Sequence, residues 1–221
     1  MDKTALVTGA LSTLGLAISR KLNEHGYTVY GTARDEKRDF PYGKLLKLDL
    51  KNGNLDSLEE IKELDVLVNN AGVFTIGRQD EICDELFNEV IDINIKGLFK
   101  VTRMMIPLLK KSNGAIINIS SINSIHPGFG GTAHYDGSKG FVSSYTRSLA
   151  QETGLRVNAI APGLIKADRL IGTDIEKSFM DRAVRKEMVD PEDLADLALF
   201  LSEQQGMYGQ TVVLDNGYLI G

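Results

Sequence analysis

Thr4-Ala-Leu-Val-Thr8, then Gly9-Ala-Leu-Ser-Thr-Leu-Gly15, then Leu16-Ala-Ile-Ser-Arg-Lys-Leu22 is the stretch whose reading decides the fold. A short apolar run reads as a buried strand, and the segment after Gly15 reads as an amphipathic helix. Gly9 permits a tight turn between them, and Gly15 lets the helix start pack close to its strand. Free N–H groups at such a helix start can hold a pyrophosphate. An ordinary strand–helix turn can carry the same glycines, so this motif alone does not assign a function.

Outward from it, strand-length runs lie near 3–8, 27–33, 44–49, 65–69, 114–120, 155–161 and 210–214. Helix-period stretches fit near 13–25, 54–63, 80–111 with a break, 135–153, 172–187 and 191–203. The alternation predicts an α/β fold, a doubly wound Rossmann-type parallel sheet with helices on both faces, in a single domain over 1–221. One crossover is unusual. Only residues 34–43 separate the second run from the third, and Pro41 and Gly43 lie among them. A helical crossover needs at least about 10–12 residues, so an irregular or single-turn connection is expected there.

The 221 residues are 43% hydrophobic and 25% charged, a globular composition. A net charge of −5 argues against binding nucleic acid or an anionic membrane surface. No apolar run reaches the roughly 18–20 residues of a membrane span, and the opening run is too short for a signal-peptide core. The single cysteine, Cys83, cannot form an intrachain disulfide, which suits a reducing cytoplasm.

Thr8-Gly9, Thr13 and Gly15 resemble the cofactor turn of the short-chain dehydrogenase/reductases. Further marks of that family follow in order: Asp49, Asn69-Asn70-Ala71-Gly72, Asn94, Ser121, Tyr135-Asp-Gly-Ser-Lys139, Pro162-Gly163 and Asp215-Asn-Gly217. The resemblance covers essentially the whole chain. It implies strand order 3-2-1-4-5-6-7 and NAD(P)-dependent interconversion of an alcohol and a carbonyl. It also implies cofactor contacts from Gly9, Leu11, Ser12, Thr13, Leu14, Gly15, Arg34, Asp49, Leu50, Asn70, Ala71, Gly72, Tyr135, Lys139, Pro162, Gly163 and Ile165. Three departures stand out. Thr13 replaces the middle glycine, thirteen residues (122–134) separate Ser121 from Tyr135, one more than the pattern, and Ala167 stands where a threonine is usual.

Tyr135 and Lys139 are four apart on a predicted helix and share a face. A free phenol, with a pKa of about 10, is a poor base near neutrality, and a nearby ammonium favours the phenolate. The pair therefore reads as a proton donor or acceptor. Ser121 ends the fifth strand, on the side where doubly wound sheets bind ligands, and its hydroxyl can bond a carbonyl oxygen as charge develops. Alternation points Ser120 the other way. By resemblance, Lys139 also holds the nicotinamide ribose, and Asn94 holds a water linking Lys139 to solvent. Asp49 and Asn69–Gly72 read as adenosine-side elements or as plain turns.

Arg34 follows a strand end without a carboxylate, which favours NADP(H); Lys37 and Arg38 add charge, while Asp35 keeps NAD(H) open. No set of residues has metal-ligand spacing. Leu164–Val189 can form an apolar wall over the substrate or a helix on the core, and Arg169, Arg182 and Arg185 read better as solvated cations. The expected partners are a small carbonyl or alcohol substrate and further copies of the chain, as a homodimer or homotetramer. Two other functions remain open: an NAD-dependent alcohol or sugar dehydrogenase, and a non-catalytic dinucleotide sensor, for which Thr13 and Ala167 speak.

Overall fold

The computed structural model describes residues 3–35, 39–128 and 130–221. Seven parallel strands form one sheet: β1 (Lys3–Val7), β2 (Tyr27–Ala33), β3 (Gly43–Lys47), β4 (Val66–Asn69), β5 (Ala115–Ile119), β6 (Arg156–Pro162) and β7 (Thr211–Leu214). Their order is β3-β2-β1-β4-β5-β6-β7, the doubly wound Rossmann arrangement expected. Alternation along the central strands splits the core in two. Ala5, Val7, Val66, Val68, Ala115 and Ile117 face α1 (Thr13–Glu24) and α6 (Pro191–Glu203). Leu6, Leu67 and Ile116 face α3 (Leu98–Ser112) and α4 (Ala133–Thr153).

The link from β2 to β3 holds no helix among its described residues, as its length predicted. Two rings take that place. Phe40 is buried, and Tyr42 meets it edge-on at 6.1 Å. Gly31 makes room for them, since a Cβ there would stand 2.7 Å from both Ala10 Cβ and Phe40 Cζ. Lys37 and Arg38, given a charge role from sequence, lie outside the described residues.

Three expected helices are shorter or different. The stretch 54–63 holds only a 3₁₀ turn, Asp56–Glu60. Asn54 Oδ1 accepts from Asp56 N, and Ile61 is already extended on its way to β4. The 80–111 stretch begins late, at α2 (Asp84–Val90), and its break is a π-helical segment, Ile91–Gly97, running straight into α3. Of 172–187, only α5 (Asp174–Arg182) is helical. Arg185 N donates instead to Asn216 O, so the chain's end segment draws residues after Arg182 out of the helix.

A buried polar chain crosses the second face of the sheet. Asn69 Nδ2 donates to Thr102 Oγ1 and Asn118 Oδ1, each at 2.9 Å. Asn118 Nδ2 donates to Thr146 Oγ1 at 2.9 Å. It joins α3, β4, β5 and α4 through side chains alone.

Candidate active site

At the carboxyl ends of β1 and β4, the turn after β1 takes the form its glycines predicted. Gly9 has φ +64°, and a Cβ on Gly15 would collide with the Gly9 carbonyl and stand 2.8 Å from Ala10 Cα. Ser12 caps α1 by accepting from Gly15 N at 3.0 Å. Asn70 Nδ2 clamps the turn from β4, donating to Thr8 O, Gly9 O and Ser12 Oγ at 2.8, 3.0 and 3.2 Å. Thr8 Oγ1 accepts the amides of Asn70 and Ala71, both at 3.0 Å. Asn70 thus builds the turn from beneath, and Thr8, read only as part of a motif, is its second fastening. Gly15 packs under the turn and lines neither of the two cavities that open beside it.

Beside this turn lies a cavity of about 380 Å³. Gly9, Leu11, Ser12, Arg34, Asp49, Leu50, Asn70, Ala71 and Gly72 line it, together with Thr32 and Asp35. Asp49 closes the next turn with both oxygens, accepting from Lys51 N and Asn52 Nδ2 at 3.0 Å each. Arg34 is exposed, with no hydrogen bond or ion pair among the described residues.

A second cavity of about 270 Å³ shares Ser12, Asn70 and Gly72 with the first. Thr13, Leu14, Ser121, Tyr135, Lys139, Pro162, Gly163 and Ile165 line it. Ala167 and Arg169 do too; Arg169 is exposed, as its reading as a solvated cation expected, yet lies on the cavity wall. Phe74 meets the Tyr135 ring edge-on at 4.8 Å, an unanticipated neighbour.

Lys139 is buried, and its Nζ donates to Ile119 O at 2.8 Å. Burial pushes this ammonium down to about 8. Tyr135 goes the other way from the sequence expectation. Burial pushes its phenol up to about 12, only partly opposed by a hydrogen bond with Ser121, and the Asp136 carboxylate adds to the rise. The ammonium lies 5.8 Å from the centre of the tyrosine ring and is spent on the Ile119 carbonyl. Within the chain's own groups, desolvation therefore outweighs the cation. The Tyr135 proton stays on near neutrality, the form an acid needs.

Asn94 sits in the π-helical segment, which explains its tolerance in a long helical stretch. Its Oδ1 accepts from Val73 N at 2.8 Å, and its Nδ2 donates to Val73 O and Ser138 Oγ at 3.0 and 3.1 Å. Asn94 lines neither cavity; it binds the Gly72–Val73 turn from behind, next to Lys139. A Cβ on Gly72 would stand 3.3 Å from Asn94 Oδ1 and 3.5 Å from Lys139 Nζ. Ser120 lines the second cavity too, but its hydroxyl is engaged with Lys139 O and Ser143 Oγ at 3.1 and 2.8 Å. His134 is buried and shares a 2.7 Å hydrogen bond with Thr75 Oγ1. Phe179 and Met188 are core residues, not a substrate wall.

A strand–turn–helix cradle opening on two joined cavities, one of them holding a tyrosine, a lysine and a serine, defines a dinucleotide-dependent oxidoreductase. The chain belongs to the short-chain dehydrogenase/reductase family. A family model described as Enoyl-(Acyl carrier protein) reductase matches residues 49–219. The 3-oxoacyl-(acyl-carrier-protein) reductase of Rickettsia bellii is 37% identical over 99% of this chain and 97% of its own. Two solved structures are each 27% identical with a TM-score of 0.89. One is ElxO with NADP bound, covering 100% of both chains. The other is a 3-ketoacyl-(acyl-carrier-protein) reductase from Brucella melitensis complexed with NADH, covering 99% of this chain and 98% of its own.

Proposed function

We propose that this chain reduces a carbonyl substrate of the 3-oxoacyl thioester, ketone or aldehyde type at the expense of NADPH, with Tyr135, Ser121 and Lys139 as its catalytic residues and Asn94 in support. The convergence of these first three side chains on one cavity carries the reading. The residues fit a dinucleotide. Gly9 has φ +64° and a Cβ on it would stand 3.0 Å from Ala71 Cα, so the turn keeps its backbone close beneath the cavity, and a helix N-terminus favours phosphate. Gly9, Leu11, Ser12, Thr13 and Leu14 would hold the diphosphate, Arg34, Asp49, Leu50 and Ala71 the adenosine half, and Gly72, Tyr135, Lys139, Pro162, Gly163 and Ile165 the nicotinamide half. When bound, the nicotinamide supplies the hydride.

The chain's own groups do the rest. Ser121 donates to the substrate oxygen as negative charge builds on it. Tyr135 gives that oxygen its proton. Lys139 stabilises the phenolate left behind, and its readiness to lose a proton near pH 8 suits it to resupply one. Asn94 keeps the Gly72–Val73 turn and the π segment in register with Lys139. Arg34 favours NADPH by pairing with the 2′-phosphate. Asp35, on the same cavity wall, supports the second reading, an NAD-dependent dehydrogenase.

An absorbance screen of 3-oxoacyl thioesters, ketones and aldehydes with each cofactor tests the reading. Tyr135→Phe is expected to keep cofactor affinity and lose turnover by about 10²-fold or more. Near-normal turnover in that variant overturns the role of Tyr135. Cofactor binding with no turnover of any carbonyl points to a sensor.

We also infer a cytoplasmic homo-oligomer. Phe87 and Phe99 lie exposed on α2 and α3, and Phe200, Tyr208 and Val213 on and around α6 and β7. Tyr218 does not join this exposed set. It stacks on Phe179 of its own chain at 4.9 Å.

A further inference from the structure

Between Ser121 and Tyr135 run thirteen residues, 122–134, and one carboxylate gathers several of the described ones. Asp136 Oδ1 accepts from Asn123 Nδ2 at 2.7 Å. Its Oδ2 accepts from Gly128 N at 3.0 Å and from Thr132 Oγ1 at 3.1 Å. Three donors among the described residues converge on it, and an amide in its place has one oxygen to offer. The approach is close enough to require glycine. A Cβ on Gly128 would collide with the Asn123 amide and stand 2.8 Å from Thr132 Oγ1.

The other end of Asn123 meets Ser121. With its Nδ2 held by the carboxylate, the Asn123 side chain turns Oδ1 toward Ser121 Oγ, 3.4 Å away. Asn123 N also donates to Ser121 Oγ at 3.1 Å. The serine oxygen therefore receives a backbone N–H, which polarises its own O–H. That O–H has a long, weak acceptor in Asn123 Oδ1 and a second partner in the Tyr135 oxygen, so it already faces the group with which it would share the substrate oxygen. Ser124 Oγ donates to Ser121 O at 2.7 Å and so holds the backbone of the same residue.

We propose that Asp136 is a positioning residue for Ser121, acting through Asn123. Asp136 fixes which way the Asn123 amide faces, and Asn123 fixes where the Ser121 hydroxyl points. This rests on the reading of Ser121 as the group that polarises the substrate carbonyl. A plain loop fastening would use the same bonds to Gly128 and Thr132 but would not act through Ser121.

A double-mutant cycle separates the two. Full-length Asp136→Asn, Asn123→Ala and Ser121→Ala, and each of the first two combined with the third, are assayed with acetoacetyl-CoA and NADPH. Cofactor affinity and thermal midpoint are measured alongside. Asp136→Asn and Asn123→Ala are each expected to lower kcat about ten- to a hundred-fold, with KM and the NADPH dissociation constant within about twofold of wild type. In the Ser121→Ala background the same substitutions cost less than about twofold. The exchanged pair, Asn123→Asp with Asp136→Asn, restores a donor facing an acceptor and recovers part of the kcat lost in Asn123→Asp alone. If Ser121→Ala is impaired and the other losses simply multiply with it, Asp136 is only a loop fastening and the proposal falls. If Ser121→Ala turns over normally, the reading of Ser121 itself falls. Where Asp136→Asn lowers the thermal midpoint too far to assay, Asn123→Ala in the same cycle decides.

Discussion

Replacing Lys139 with methionine is expected to stabilise the fold while removing catalysis. Lys139 is 6% exposed, and its ammonium has one protein acceptor among the described residues, the Ile119 carbonyl. Burial lowers its pKa from 10.5 to about 8. Each pH unit of that separation is about 1.4 kcal/mol, so holding the charge costs the folded state about 3 kcal/mol. Methionine fills a similar volume and leaves the Ile119 carbonyl unpaired, a loss of about 1–3 kcal/mol. The variant is therefore up to about 2 kcal/mol more stable at pH 7, or up to about 4–8 °C in Tm for a chain of this size. The sign depends on pH. Below pH 8 both folded and unfolded wild type hold the proton, and the full cost is present. Between pH 8 and 10.5 the folded state releases it while the unfolded state keeps it. Wild-type stability then rises with pH, and the advantage of methionine shrinks toward zero. Urea unfolding of both proteins at pH 7, 8.5 and 10, extrapolated to water, measures this. A methionine variant less stable than wild type at pH 7, or an advantage constant across the three pH values, refutes the reasoning.

Arg34→Ala is expected to weaken NADPH binding about ten- to a hundred-fold and leave NADH nearly unchanged, read by titration; equal losses would make Arg34 a surface cation. Gly31→Val pushes a side chain against Ala10 and Phe40, so urea unfolding should register a loss of about 1–3 kcal/mol. Light scattering at micromolar concentration should find a dimer or tetramer, and a monomer would leave the aromatic groups on α2, α3 and α6 without a function.

Periodicity and glycine placement make the sheet legible in the sequence. Gly9 and Gly15 announce the first turn because each has a backbone demand that no other residue meets. The connection after Ala33 is readable as irregular from its length alone. Other features depend on partners far away in the chain. Nothing local in Ile91–Gly97 distinguishes a π-helical segment from an α-helix; the Asn94 bonds to Val73 and Ser138 go with it. α5 ends at Arg182, where the chain turns to meet Asn216. Phe40 stands in for a helix only because Gly31 is empty. The Tyr135–Lys139 pair was visible as a spacing, but its electrostatics were not. Spacing places Lys139 near the phenol, whereas burial decides the direction of both shifts.

The amides crossing from α3 to α4 have a bearing on error. Two apolar helices on a sheet can slide by a fraction of a turn and still find oily contacts, so hydrophobic packing penalises small slips weakly. The run Thr102, Asn69, Asn118, Thr146 tolerates no such drift. Displacing either helix strands a buried donor or acceptor, at about 1–3 kcal/mol for each group left unmatched. Asn94 lies just ahead of α3, and Tyr135 and Lys139 ride on α4, so the two helices carry separate parts of the proposed machinery. The amides work as a vernier between them, turning a slip too small for the core to notice into one the whole molecule resists.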